Sequence, residues 1–122
     1  MKYLFTLITL LFAFNAYSYQ AIQASPKWLN FNRQPVGFSS MQMISVMNTG
    51  TEDIQYLWVN STGDNMHFRT STSCGYLRRY SSCTIVVYYQ PSAEGNHWLD
   101  IRIHGGMASD YVNVNGTAYK PN

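Results

Sequence analysis

The stretch SCTIVVYYQP, residues 82–91, carries a period-two pattern of apolar side chains that starts beside a cysteine and stops at Pro91. Successive side chains of a β-strand point to opposite faces of the sheet. The pattern therefore predicts a strand over residues 83–90 with one face in the core. The expected core face is Cys83, Ile85, Val87 and Tyr89, and the opposite face is Thr84, Val86 and Tyr88.

Six further segments have the composition of strands, and turn residues separate most of them. They are residues 27–31, 41–47, 53–59, 66–69, 97–103 and 111–115. No segment shows a helical period over ten residues. Short strands that recur every eight to twelve residues, each followed by a turn, are typical of an antiparallel β-sandwich.

Alternation also predicts the faces of three other strands. The expected inward residues are Leu99, Ile101, Ile103, Val112, Val114, Ile44 and Val46. The expected outward residues are Trp98, Asp100, Arg102, Tyr111, Asn113, Asn115, Met43, Ser45 and Met47. Most outward faces are therefore polar, whereas residues 41–47 present methionines.

The N-terminal segment has the three-part layout of a secretory signal peptide. One positive charge at Lys2 precedes eleven uncharged residues, 4–14, and small residues follow at Ala16 and Ser18. An apolar run of eleven is well short of the roughly 20 residues that cross a bilayer, which disfavours a retained anchor. We predict a signal peptide over residues 1–18, one domain over residues 19–122, and export to the periplasm or the extracellular space.

Composition disfavours two classes of partner. Removal of Lys2 with the signal lowers the formal net charge from +2 to +1, which is too little to attract nucleic acid or an anionic membrane. No second apolar run predicts stable membrane insertion. Charged residues are only 11% of the chain and aromatic residues 16%, which favours a β domain with an uncharged, aromatic surface.

The two cysteines, Cys74 and Cys83, are first interpreted as a structural disulfide because the chain is expected to be exported. The bond would close a ring of ten residues. The alternative is a redox or metal site, which requires closer spacing or additional ligands.

Several ordered segments resemble a known family. They are LNFNRQPVG (29–37), MISVMNTGTEDI (43–54), CG (74–75), SSCTIVVYYQPSAEG (81–95) and VNVNGTA (112–118). Together they resemble the ASH or Hydin-like immunoglobulin-like domains, which are relatives of the major sperm protein fold and whose exported bacterial forms are often called choice-of-anchor D repeats. The resemblance covers about residues 28–118.

This resemblance implies a seven-stranded immunoglobulin-like β-sandwich with a local bridge between Cys74 and Cys83. It implies no active site, because the family has none in common. Two departures concern function. Such modules usually occur as repeats in long chains, and their outer faces often carry small polar residues where this chain has Met43, Met47, Tyr88, Trp98 and Tyr111.

No residue set predicts catalysis or a cofactor. His67, His97 and His104 lie on separate segments without metal-ligand spacing, and we interpret them as ordinary surface or turn residues. The carboxylates are dispersed, and the serine nucleophile motifs are absent. We therefore predict a protein that is not an enzyme and has no metal or cofactor.

The best functional signal is an apolar outer face. In the family topology the strand 41–47 lies beside 83–89, so Met43, Met47, Val86 and Tyr88 would share one surface. An exposed apolar patch usually marks an interface. The alternative is that residues 19–26 or the loop that carries Arg78 folds back and covers this face. We predict a non-catalytic protein-binding or structural module of a cell-envelope or secreted assembly, with another protein or a second copy as partner, docked on this face or along a sheet edge.

Two weaker hypotheses accompany this prediction. Arg78 and Arg79 form an exposed basic pair that could contact an acidic partner. The alternative function is a carbohydrate-binding module in which Trp98, Tyr88 and Tyr111 stack on sugar rings. A sugar platform needs its rings on one face, and Tyr88 is expected on the opposite sheet from the other two, which disfavours this set.

Overall fold

The computed structural model describes residues 18–121 and contains eight strands in that range. The predicted signal peptide lies, except for Ser18, outside the described residues. The strands are β1 (Ile22–Ser25), β2 (Trp28–Pro35), β3 (Ser40–Asn48), β4 (Leu57–Gly63), β5 (Phe68–Thr72), β6 (Ser82–Tyr89), β7 (Gly95–Gly105) and β8 (Ala108–Tyr119). Within the described range no helix is long and apolar enough to span a bilayer.

The strands form two four-stranded sheets that enclose one core. Sheet A has the order β1-β3-β6-β5, and sheet B has the order β2-β8-β7-β4. The predicted pairing of β3 with β6 is confirmed, with Met43 opposite Val86 and Val46 opposite Cys83. The all-β sandwich predicted from the sequence is therefore confirmed.

The strand count is eight rather than seven because the first strand is divided between the sheets. Residues Ile22–Ser25 pair with β3 in sheet A, and after Pro26 the chain enters sheet B as β2. The four-residue β1 is too short for alternation to identify it. β2 pairs parallel with β8, so the prediction of a wholly antiparallel sandwich is wrong at this position.

Several boundaries also differ from the prediction. β4 begins only at Leu57, because Ile54 instead forms an isolated bridge with Leu77 in the loop before β6. β7 and β8 are much longer than predicted, since they continue through a hairpin from Gly95 to Tyr119.

The predicted inward residues form the core. The side chains of Ile44, Val46, Ile85, Val87 and Tyr89 from sheet A and of Leu99, Ile101, Ile103, Val112 and Val114 from sheet B are buried. Burial of each such side chain contributes roughly 1.5–3 kcal/mol. This core fixes which residues of every strand are left for the two outer faces.

The predicted disulfide between Cys74 and Cys83 is present, with their Cα atoms 5.2 Å apart. It closes the loop between β5 and β6, which is also held by other contacts. Leu77 is buried, and the Asn48 side-chain amide donates to the carbonyl of Leu77 at 3.1 Å. The loop is therefore attached to the end of β3 as well.

Candidate binding surfaces

The outer side of sheet A presents the apolar surface that the sequence predicts. We name it the methionine face and define it as Met41, Met43, Met47, Val86 and Tyr88. Exposed fractions of its large side chains run from 37% for Tyr88 to 55% for Met43. Met41 lies directly opposite Tyr88, as Met43 does opposite Val86, so these four form one contiguous block.

Met41 was not among the residues predicted for this face, although the sequence pattern contains it. Met41 has the same parity as Met43 and Met47 in the alternating strand, so it points to the same side. Met47 stands somewhat apart, because the polar pair Ser45 and Thr84 lies between it and the block.

Neither of the two proposed coverings lies over the methionine face. Residues Ile22–Ser25 extend the sheet edgewise by pairing with β3, with Gln23 opposite Met47. The loop that carries Arg78 attaches to the turn after β3, where Tyr80 donates its backbone N–H to the carbonyl of Asn48 at 2.9 Å. Within residues 18–121 the methionine face is therefore open.

The free edge of sheet A adjoins this face. β5 is the last strand of the sheet, and Arg69 lies opposite Tyr88. A cleft of about 340 Å³ is lined by Arg69, Thr70, Ser71 and Tyr88. A second cleft of about 200 Å³ also borders Arg69 and Tyr88 and extends to His67 and Gln90. The edge thus combines unpaired backbone groups, one cation and concave surface.

Arg78 and Arg79 are exposed, as predicted, but their loop is attached to a neighbouring loop. The Asp53 carboxylate accepts a hydrogen bond from the backbone N–H of Arg79 at 2.9 Å and another from the Tyr76 hydroxyl at 2.8 Å. These bonds lower the pKa of Asp53. Two sequence-distant loops are therefore connected at the base of the arginine pair.

The structure brings together two of the three histidines. The rings of His67 and His97 lie 3.9 Å apart, whereas His104 stacks on Trp58 at 4.2 Å. His97 is buried rather than a surface or turn residue, and its Nδ1 is hydrogen-bonded to the Tyr89 hydroxyl at 2.7 Å. Burial, and then the nearby His67, lower the pKa of His97, while Asp64 acts in the opposite direction.

These histidines do not form a metal centre. No cluster of three or more His, Cys, Asp or Glu side chains suited to a metal occurs among residues 18–121. Asp110, one of the dispersed carboxylates, lies partly buried between the two sheets. It accepts hydrogen bonds from the backbone N–H of Ala24 at 2.8 Å and from the Lys27 ammonium.

The outer side of sheet B has a different character. We name it the tryptophan face and define its aromatic members as Trp28, Trp58, Trp98 and Tyr111. The chain has three tryptophans, and all three lie exposed on this side of sheet B. Tyr88 is on the other sheet, as expected, so Trp98, Tyr88 and Tyr111 cannot form one sugar platform. Trp28 and Trp58 were missed because the sheet order was unknown.

Comparisons with known proteins identify the fold. No protein-family model matches the chain, and no curated protein matches it in sequence. The chain is similar to the ASH/PapD-like domain 7 of human CEP192, with 15% identity and a TM-score of 0.66 over 83% of this chain and 87% of that one. It is also similar to the Caenorhabditis elegans major sperm protein family member WR4, with 12% identity and a TM-score of 0.52 over 80% and 97%.

A third similarity concerns part of an enzyme. A family 123 glycoside hydrolase from Clostridium perfringens matches 76% of this chain but only 23% of its own, with 9% identity and a TM-score of 0.60. Two of the matches span most of both chains, and they are an ASH/PapD-like domain and a major sperm protein family member. Residues 18–121 therefore have the immunoglobulin-like fold of the ASH and major sperm protein domains, as the sequence resemblance predicted.

Proposed function

We propose that the protein is a non-catalytic module of an exported assembly and that it binds another protein through the methionine face. The observation that carries the proposal is the contiguous block of Met41, Met43, Val86 and Tyr88, which is open on a regular sheet. Methionine and aromatic side chains are enriched in protein interfaces, and flexible methionines adapt to a partner's surface. The partner is a second protein of the envelope or extracellular space, or a second copy of this chain.

The free edge of sheet A extends the same docking surface. A partner strand that pairs with β5 would place its outward side chains beside Arg69 and Tyr88, which line the neighbouring clefts. Backbone pairing would then supply affinity, and the methionine face would supply selectivity. Arg78 and Arg79 offer a secondary contact for an acidic partner.

Export is supported by two independent features. A disulfide persists in oxidising compartments, and Cys74 and Cys83 form one. The N-terminal residues have the pattern of a signal peptide. Both features support a periplasmic or extracellular location.

The experiment places a photo-crosslinking amino acid at position 43 or at position 107 of the full chain in its native host. Met107 is a matched control, because it is 93% exposed at the β7–β8 hairpin and lies outside the methionine face. We expect a specific adduct from position 43 that is absent from position 107. The adduct should disappear when Met47→Lys or Met41→Lys is added.

Sedimentation of the purified protein distinguishes the two kinds of partner. A dimer that dissociates in Met43→Lys identifies a second copy of this chain. A monomer in sedimentation, together with an adduct whose mass differs from that of two copies, identifies another protein. Exposed substitutions change stability by only about 0.5 kcal/mol, so the variants remain folded. Equal crosslinking from positions 43 and 107, unaffected by the lysine variants, would contradict the proposal.

A further inference from the structure

The tryptophan face is a second surface, separate from the methionine face, and its aromatic residues are exposed. Trp28 is 70% exposed, Trp98 52% and Trp58 43%. Large aromatic side chains contribute most to stability when they are buried, so these exposed rings contribute less to folding and remain available for contact. The whole tryptophan content of the chain lies on this one side of sheet B.

The strand register shows how these rings are arranged. Trp28 lies opposite Asn113 and Trp98 opposite Asn115, while Tyr111 lies opposite Arg102. With strands about 4.8 Å apart and about 3.4 Å of rise per residue, the Cα atoms of Trp28 and Trp98 are about 12 Å apart. The aromatic residues thus stand around a polar centre rather than forming the centre themselves.

Two of the rings are held in place by their neighbours. A Cβ added at Gly63 would lie 2.9 Å from the Cε3 and Cζ3 atoms of Trp98, so the indole lies directly over this glycine. Trp58 stacks on the His104 ring at 4.2 Å with an interplanar angle of 23°. Rings that are already ordered lose little entropy when a ligand stacks on them.

The polar centre consists of amides and one pair of opposite charges. Asp100 lies opposite Asn113, and Arg102 lies between Asn60 and Tyr111. Within residues 18–121 the side chains of Asn60, Asp100, Arg102, Asn113 and Asn115 make no hydrogen bond or ion pair with other protein groups. Their donors and acceptors are available to a ligand, and their formal charges sum to zero.

This arrangement selects among ligand classes. Protein interfaces have an apolar core and a polar rim, and the tryptophan face has the opposite order. Nucleic acid requires several cations, and this face has two arginines, of which Arg102 is balanced by Asp100 and Arg33 lies over the Tyr119 ring. A neutral glycan fits, because pyranose rings offer C–H faces for stacking on indoles and hydroxyl edges for hydrogen bonds to amides and carboxylates.

We propose that the outer face of sheet B binds an uncharged polysaccharide, with sugar rings stacked on Trp28 and Trp98 and hydroxyls bonded to Asp100, Asn113 and Asn115. This site differs from the set of rings considered from the sequence, because it omits Tyr88 and adds Trp28. It is also independent of the protein-binding surface on sheet A. The module would then connect a protein partner on one side with a glycan on the other.

Tryptophan fluorescence tests the proposal directly, because every tryptophan of the chain reports on this face. The full oxidised protein is titrated with neutral β-1,4-linked hexasaccharides of glucose, xylose and N-acetylglucosamine. We expect a saturable change in emission with at least one of them. Trp28→Ala and Trp98→Ala should each weaken binding about tenfold or more, whereas Met43→Lys should leave it unchanged.

Amide chemical-shift mapping of the unmodified protein keeps the test independent of variant folding. The expected shifts fall on β2, β7 and β8. The proposal is overturned if no hexasaccharide changes emission or amide shifts, or if the shifts fall on sheet A. It is also overturned if emission changes with protein concentration alone, which would identify the tryptophan face as a contact between copies.

Discussion

Reduction of the Cys74–Cys83 disulfide should lower the free energy of unfolding by about 2.7 kcal/mol. The bond joins residues nine apart in sequence and so closes a ring of ten. Chain-entropy arguments give about 9 cal/mol/K for such a ring, which is the stated free energy at 25 °C. A domain of this size loses about 4–8 °C of Tm per kcal/mol, so we expect Tm to fall by roughly 10–20 °C. Thermal and urea denaturation with and without a phosphine reductant measure both quantities.

The reduced protein should remain folded, because the loop is attached by more than the disulfide. Ile54 and Leu77 exchange two backbone hydrogen bonds, each of 2.8 Å, and Asn48 donates to the same loop. The variant with Cys74→Ala and Cys83→Ala is the control, since its stability should not respond to reductant. A loss below about 1 kcal/mol on reduction would refute the entropic reasoning, and complete unfolding at 25 °C would refute the role assigned to the loop contacts.

Three further predictions concern a glycine and two titrating groups. Gly63→Ala should cost about 1–3 kcal/mol more in unfolding free energy than Gly95→Ala, because both glycines have φ near +125–130° but only at Gly63 would the added Cβ collide with Trp98. The emission of Trp98 should also shift in Gly63→Ala, and equal losses of stability would contradict this reasoning. Burial lowers the pKa of His97 from its ordinary 6.5, so the free energy of unfolding should decline as pH falls through 6.5, where the unfolded chain takes up the proton first. Urea denaturation at several pH values measures this decline, and His97→Gln should remove it. Burial raises the pKa of Asp110, but its hydrogen bonds outweigh burial and set it below 3.8. A second decline in stability should therefore occur as pH falls through 3.8, and it should be smaller in Asp110→Asn, where only other acids such as Asp53 contribute; a decline of the same size in that variant would contradict this.

The features that follow from local alternation were predictable from the sequence, and those that depend on sheet order were not. The inward sides of β6 and β7 follow from alternation. Ile85 on β6 and Ile101 on β7 each belong to a series of apolar residues at every second position, and both are fully buried. The parallel pairing of β2 depends on a neighbour more than 80 residues away, and no local pattern contains it. The contact of His67 with His97 is likewise a tertiary event, since these side chains are 30 residues apart.

The same distinction explains why one candidate surface was predictable and the other was not. The methionine face lies mainly on β3, where a single strand carries Met41, Met43 and Met47, so alternation alone exposes it. The tryptophan face takes one tryptophan from each of β2, β4 and β7, and only the sheet order shows that β4 pairs with β7 and that β8 lies between β7 and β2. The two faces are separated by a buried core about 10 Å thick. Because sites more than about 7–10 Å apart usually behave additively, Met43→Lys and Trp98→Ala in one chain should each weaken its own interaction without altering the other.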